Sequence, residues 1–203
     1  MNVTLIDYGA GNVPSVERAL QRLGAQSQRA SSPECILNAQ SLILPGVGHF
    51  AALIRALDER GLRAPLLDAL AHGVPFLGVC LGLQALYDSS EEAPELQGLQ
   101  LFTGNIQALP ANVKLPHMGW NQLRRTNESR LLDGIGPDAH FYFAHSYAAT
   151  LAHDGPQVVA TCTHGSEFIA VLERENINAV QFHPEKSGAA GAQLLHNFLR
   201  LAA

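Results

Sequence analysis

The chain predicts an α/β fold in which a parallel sheet carries helices on its faces. Two observations point there: the first half alternates short apolar runs with stretches of helical periodicity, and the second half is mostly short β-like runs closed by one helix. At 203 residues it is long enough for one well-buried core and too short for two comfortable ones, so residues 1–203 are expected to form one domain.

Taken in order, residues 3–6 read as a buried strand. After Gly9-Ala10-Gly11, Asn12 is expected to cap a helix with Val13, Val16, Ala19, Leu20 and Leu23 on one face. Pro14 falls in its first turn, where a missing N–H costs little, and Gly24 stops it. Residues 41–44 form the next strand, followed by Pro45-Gly46-Val47-Gly48, a helix over 50–60 ended by Gly61, and a second helical stretch over 62–72. Residues 75–79 are a third strand that runs into Cys80 and a helix over 81–87. Beyond the acidic loop Glu91-Glu92-Ala93-Pro94-Glu95, β-like runs follow at 99–102, 106–109, 141–147, 158–163, 168–172 and 177–182. The last two, joined by Glu173-Arg174-Glu175-Asn176, read as a hairpin. A helix over 189–201 presents Leu194, Leu195, Phe198 and Leu199 on one face.

Composition narrows the function. With 47% apolar, 15% charged and 6% aromatic residues, the chain is neither disordered, collagenous nor a coiled coil. Thirteen Lys and Arg against 18 Asp and Glu give a net charge of −5, with no basic run longer than Arg124-Arg125. No nucleic acid or anionic membrane is therefore expected as a partner. The N-terminus lacks a basic secretory region, and the longest apolar stretch, 74–87, is interrupted by Pro75, Gly78, Gly82 and Gln84, so neither secretion nor a membrane span is expected. Cys35, Cys80 and Cys162 are odd in number and far apart, which fits free thiols in a reducing cytoplasm. A charge fraction below the roughly 25% of average domains suggests that some surface is covered by another chain.

One pentapeptide carries chemistry. Gly78-Val79-Cys80-Leu81-Gly82 is the cysteine form of the nucleophile elbow, a strand-turn-helix with small residues around a strained nucleophile. The turn would push the sulfur out of the sheet, the helix N-terminus would favour a thiolate, and the Leu81 N–H would face a developing oxyanion. The competing reading is a buried core cysteine, which is how Cys35 and Cys162 are read. His183 follows the strand over 179–182 at the edge where open α/β sheets bind ligands, and Pro184 holds it extended so that Glu185 lies on the same side. Cys80, His183 and Glu185 thus take the roles of nucleophile, base and orienter.

Other patterns are absent or incomplete. Gly9-Ala10-Gly11 lacks the third dinucleotide-binding glycine, where Pro14 stands, and Arg29 occupies the region where an acid is needed. No phosphate-binding loop ends in Gly-Lys-Ser/Thr, and the histidines show no metal-ligand spacing, so no cofactor and no metal are expected.

Together, the elbow and His183-Pro184-Glu185 resemble the class I, triad-type glutamine amidotransferases. Leu44-Pro45-Gly46-Val47-Gly48-His49-Phe50, His117-Met118-Gly119-Trp120-Asn121, His145-Ser146-Tyr147 and Gln181 to Ser187 are similar to one branch of that family, as is Ile6 to Asn12. The resemblance implies a flavodoxin-like, open, mostly parallel but mixed twisted sheet. It also implies that Cys80 forms a glutamyl thioester from glutamine and that ammonia passes to a separate cyclase subunit of histidine biosynthesis, in a heterodimer. By the same resemblance, Val47 and Leu81 form the oxyanion hole, and Gly48, Gln84, Ser146 and Tyr147 hold the substrate. Asn12, Met118, Trp120, Tyr142 and Lys186 face the partner; the plainer alternative for Trp120 is a place in the core. A γ-glutamyl hydrolase or intracellular peptidase of the same fold, and a non-catalytic binding module, remain as alternatives.

Overall fold

The computed structural model describes residues 2–150 and 157–202. Its main sheet is built from β1 (Asn2–Ile6), β2 (Gln26–Ala30), β3 (Leu42–Gly46), β4 (Phe76–Cys80), β8 (Arg124–Arg125), β11 (Val158–His164), β12 (Ser166–Arg174) and β13 (Ile177–Val180). The spatial order is β2-β1-β3-β4-β13-β12-β11-β8. Neighbours from β2 to β13 run parallel, and those from β13 to β8 antiparallel. The expected mixed, mostly parallel sheet is therefore present.

Helices α1 (Val13–Arg22) and α6 (Gly188–Leu201) cover one face, and α2 (Pro33–Leu37), α3 (Phe50–Glu59) and α4 (Arg63–Ala71) the other. Alternation along the strands feeds both cores. Leu42 and Leu44 of β3 join the α3 and α4 side, while Ile43 joins α1 and α6. Strand β4, between two parallel neighbours, is buried on both faces, as a run of apolar residues in a parallel sheet must be.

Two smaller sheets flank the site: β10 (Tyr147–Ala149), β6 (Phe102–Ala108) and β5 (Tyr87–Ser90) in one, β7 (His117–Gln122) and β9 (His140–His145) in the other. Here several expectations are corrected. The helix after Cys80, α5 (Leu81–Gln84), is a single turn rather than running to Tyr87, because Tyr87 pairs with Phe102 in β5 and its ring packs on that phenylalanine at 5.9 Å. Of residues 99–102 only Phe102 is in a strand. The run 141–147 is two strands in different sheets, broken at Ser146.

Strand β2 escaped notice because its Gln-Ser-Gln-Arg-Ala sequence is polar and mostly exposed at the sheet edge. Asn12 precedes α1, but it sits in the left-handed region at φ 57° and its side chain makes no capping bond, so its expected capping role is wrong. The hairpin is present: Arg174 pairs with Ile177 across a turn whose first residue, Glu175, has φ 55°.

Candidate active site

The adjacent parallel strands β1, β3, β4 and β13 end at one edge of the sheet, and the segments that leave them bring Tyr8, Val47, Cys80 and His183 together. This is the carboxyl edge at which α/β sheets bind ligands.

Cys80 closes β4 with φ 54° and ψ −105°, a strained conformation for a residue with a Cβ. The strain is tolerated because glycines let α5 press onto the sheet. A Cβ on Gly82 would lie 2.1 Å from the Leu44 carbonyl oxygen, and one on Gly78 would lie 2.7 Å from the Gly82 carbonyl oxygen. In parallel register Gly46 stands opposite Cys80, and a Cβ there would meet Leu81 Cβ at 2.5 Å. These close approaches explain why the elbow is glycine on both sides of the nucleophile position.

His183 is buried, and its amide donates to the Tyr142 carbonyl at 2.8 Å, which clips it to β9. Ser187 Oγ donates to the His183 carbonyl and accepts from the Tyr142 amide, locking the turn over Pro184–Lys186. Glu185 Oε1 sits 3.0 Å from His183 Nδ1, which leaves Nε2 for Cys80. Burial alone would lower the imidazole pKa, but hydrogen bonds to Cys80 and Glu185 outweigh it and lift it to about 10. The other Glu185 oxygen, Oε2, is buried without a partner, so the imidazolium is its main compensation. The stabilisation that this raised pKa represents is complete below about pH 6.5 and is lost as pH rises through about 10.

A pocket of about 300 Å³ opens over the sulfur, lined by Val47, Gly48, Cys80, Leu81, Gln84, Glu92, Pro116, Ala144, His145, Ser146, Tyr147, His183 and Lys186. Each residue named from sequence for the oxyanion hole or the substrate is on this wall. Gln84 Nε2 donates to the Tyr147 carbonyl at 2.8 Å and to Gln181 Oε1 at 3.1 Å, and Gln181 Nε2 reaches Cys80 Sγ at 3.5 Å.

Gln181 and Glu92 were not singled out from sequence. Gln181 stands two residues before His183 and so shares its side of an extended segment, a signal that could have found it. Glu92 was read as part of an acidic loop. Its Oε2 accepts the Phe50 amide at 2.6 Å and joins His49 Nδ1, which accepts from Ala51, in capping α3.

Beside the pocket, Trp120 is paired with Tyr142 across β7 and β9, with ring centroids 6.0 Å apart, and Lys186 Nζ lies 5.7 Å from the Tyr142 ring centre. Met118 and Trp120 are 65% and 56% exposed, so the core reading of Trp120 is excluded. Asn12 is half-buried at the head of α1.

Behind the pocket, His145 Nε2 faces His117 Nδ1 at 3.1 Å and His117 stacks on His164 at 4.2 Å. Burial pushes His117 down to about 4 and His145 to about 3. Below pH 6.5 the unfolded chain therefore binds protons that the folded chain refuses, and stability falls as pH drops toward 4. Thermal unfolding followed from pH 7 to 4 should fall more steeply for the natural chain than for His117→Gln. Parallel curves would show that His117 does not titrate on unfolding.

A larger groove of about 750 Å³ near Arg125, Arg130 and Arg200 contains no cysteine or histidine. Its guanidiniums are bonded to the Ile135 carbonyl, to Glu173 and the Glu175 carbonyl, and to Asp133. Of the other thiols, Cys162 is pushed up to about 12 by burial and Cys35 accepts from Ser32. Neither lines the pocket over Cys80.

A cysteine elbow, a buried His-Glu pair and a pocket at the carboxyl edge of a mixed α/β sheet define a class, and residues 4–202 match the family model described as glutamine amidotransferase class-I. The chain belongs to that family. It is 45% identical, over 98% of each chain, to the imidazole glycerol phosphate synthase subunit HisH of Methanothermobacter thermautotrophicus. It is 46% identical to the HisH subunit of Deinococcus radiodurans, over 98% of this chain and 93% of that one. These relatives put it in the HisH branch. An Arabidopsis thaliana chloroplastic imidazole glycerol phosphate synthase hisHF is 44% identical over 97% of this chain but only 34% of its own length. Among solved structures, a glutamine amidotransferase superposes with a TM-score of 0.77 at 21% identity, covering 98% of both chains, and shows the same fold.

Proposed function

We infer that the chain hydrolyses L-glutamine to glutamate and ammonia and supplies the ammonia to a cyclase subunit that forms imidazole glycerol phosphate in histidine biosynthesis. The observation that carries this reading is Cys80 held in a strained elbow against a His183–Glu185 pair, in a chain closely similar to HisH subunits.

In this reading the Cys80 sulfur attacks the side-chain amide carbon of glutamine, and the oxyanion is met by the Leu81 N–H and, when suitably turned, the Val47 N–H. His183 gives its proton to the departing nitrogen, the C–N bond breaks, and ammonia leaves. A water molecule then loses a proton to His183 as it adds to the thioester, which releases glutamate and the cysteine. Glu185 holds the imidazole and balances its charge.

Substrate positioning follows from which polar groups are already engaged. Both Gln84 N–H donors and the carbonyls of Ser146 and Tyr147 have protein partners. What they offer glutamine is the Gln84 carbonyl for its ammonium and backbone N–H groups near Ser146 for its carboxylate, with Gly48 forming the adjoining wall. Glu92 adds negative charge for the ammonium. The pocket's small volume and the relatives' names do not favour a γ-glutamyl hydrolase or peptidase.

The partner would sit on the face formed by Met118, Trp120, Tyr142 and Lys186, extending to Asn12, as a heterodimer in a reducing cytoplasm. The length of the Arabidopsis relative, about two-thirds of which lies outside the match, supports a synthase portion beyond this chain. The test is to mix the chain with the cyclase and measure glutamine-dependent ring closure. Absence of that product, with ammonia-dependent turnover intact, would overturn the reading. In the same assembly Trp120→Ala should weaken association by about 2 kcal/mol and leave the melting temperature of the isolated chain unchanged, which calorimetric titration and thermal unfolding would check.

A further inference from the structure

The reaction above makes no use of His117, a buried imidazole packed face to face between Phe143 and His164, with ring centres 4.8 Å and 4.2 Å away. Both faces being covered, its ring nitrogens are its polar outlets, and each meets another nitrogen: Nδ1 lies 3.1 Å from His145 Nε2, and Nε2 lies 3.3 Å from Asn121 Nδ2. These partners decide where the protons are. His145 Nδ1 lies 2.9 Å from the Tyr147 carbonyl oxygen, which can only accept, so His145 carries its proton on Nδ1 and its Nε2 accepts from His117 Nδ1–H. His117 Nε2 is then an acceptor, and Asn121 fills it. The Asn121 amide cannot be turned about, because its Nδ2 also donates to the Thr163 carbonyl at 3.1 Å and its Oδ1 accepts the Gln122 amide at 2.9 Å. Burial keeps both imidazoles neutral, as this pattern requires.

This chain of bonds ends on the pocket wall. The Tyr147 carbonyl accepts from His145 Nδ1 and, at 2.8 Å, from Gln84 Nε2, while the Ser146 carbonyl accepts the Leu109 amide at 2.8 Å. His145, Ser146 and Tyr147 all line the pocket, and the bond from His145 to Tyr147 closes the turn around Ser146. Without the His117 donor, His145 Nε2 would be a buried acceptor left unpaired, which carries the full cost of its lost hydration. The ring can relieve that by turning towards water in the pocket, and it then gives up the Tyr147 carbonyl. We propose that His117, itself oriented by Asn121, is a positioning residue that fixes the tautomer of His145 and, through it, the Ser146–Tyr147 wall that takes the glutamine carboxylate. This rests on the reading of that wall as the carboxylate site.

The test is His117→Phe in the assembly with the cyclase, a change that keeps a ring between Phe143 and His164 and removes the donor. The KM for glutamine should rise roughly 2- to 10-fold, the equivalent of one ordinary hydrogen bond, while kcat stays within about twofold. His117→Asn, whose amide nitrogen stands where Nδ1 stood, should restore the KM. Nitrogen NMR of the imidazoles should find His145 protonated on Nδ1 in the natural chain and in His117→Asn, and on Nε2 in His117→Phe. An unchanged KM or an unchanged His145 tautomer in His117→Phe would overturn the proposal. So would a KM that rises equally in both variants, or losses of kcat and melting temperature that His117→Asn does not restore, since these mark a packing role. If the natural enzyme turned over γ-aminobutyramide, which is glutamine without its carboxylate, as readily as glutamine, the carboxylate reading of the wall would fall and take the proposal with it. The two failures are told apart by whether the natural enzyme or the variant shows them.

Discussion

Cys80→Ala should reduce glutamine hydrolysis by on the order of 10⁴-fold or more, because removing the nucleophile removes the covalent route and leaves only binding and oxyanion stabilisation. No other thiol can substitute: Cys162 is buried and pushed up to about 12, and Cys35 lies outside the pocket. Ammonia-dependent synthesis by the assembled variant should survive, since the cyclase needs only the product of this site. The decisive measurement pairs glutamate release with ring closure from added ammonium salt. Substantial glutaminase activity in Cys80→Ala would remove Cys80 from the mechanism.

The second large effect concerns the partner. On the proposed reading the Val47 N–H is one of two oxyanion donors, and it stands between Gly46 and Gly48, the latter at φ 98°, whose freedom lets a peptide here turn either way. Loss of one such donor typically lowers kcat by about 100- to 1,000-fold. Glutamine hydrolysis should therefore be very slow in the isolated chain and rise by at least about 100-fold when the cyclase carries its nucleotide. Such a gate would keep glutamine from being hydrolysed when no acceptor is ready. Equal rates in both states would mean that the hole is complete without the partner.

The residues that face the chemistry were legible in sequence where a local backbone rule restricts them. Cys80 between Gly78 and Gly82 is recognisable because α5 approaches β3 and β4 so closely that a Cβ at either glycine would clash. His183 and Glu185 are recognisable because Pro184 holds His183 extended; the structure then brings the two to 3.0 Å through the 3₁₀ turn Pro184–Lys186 rather than through a continued extended segment. Glu92 lacked such a signal: it is held at the site by a bond to Phe50, remote in sequence.

Asn12 shows the opposite error. A residue type favoured at helix starts was read as a cap, yet the turn after Gly11 places it left-handed and its side chain makes no such bond. Tyr87 shows why the helix after the elbow was overextended. Nothing in residues 81–87 forbids a helix, but pairing with Phe102 fifteen positions on removes Tyr87 from it.

The sequence by itself determined the α/β class, the nucleophile elbow and the His-Pro-Glu turn, because periodicity, glycine placement and proline act over a few residues. Only the tertiary structure decided that Trp120 is exposed and that Gln84 is held by Tyr147 and Gln181. Those facts depend on how β1, β3, β4, β7, β9 and β13 are brought side by side, and the contacts between them join residues tens of positions apart, beyond the reach of any local pattern.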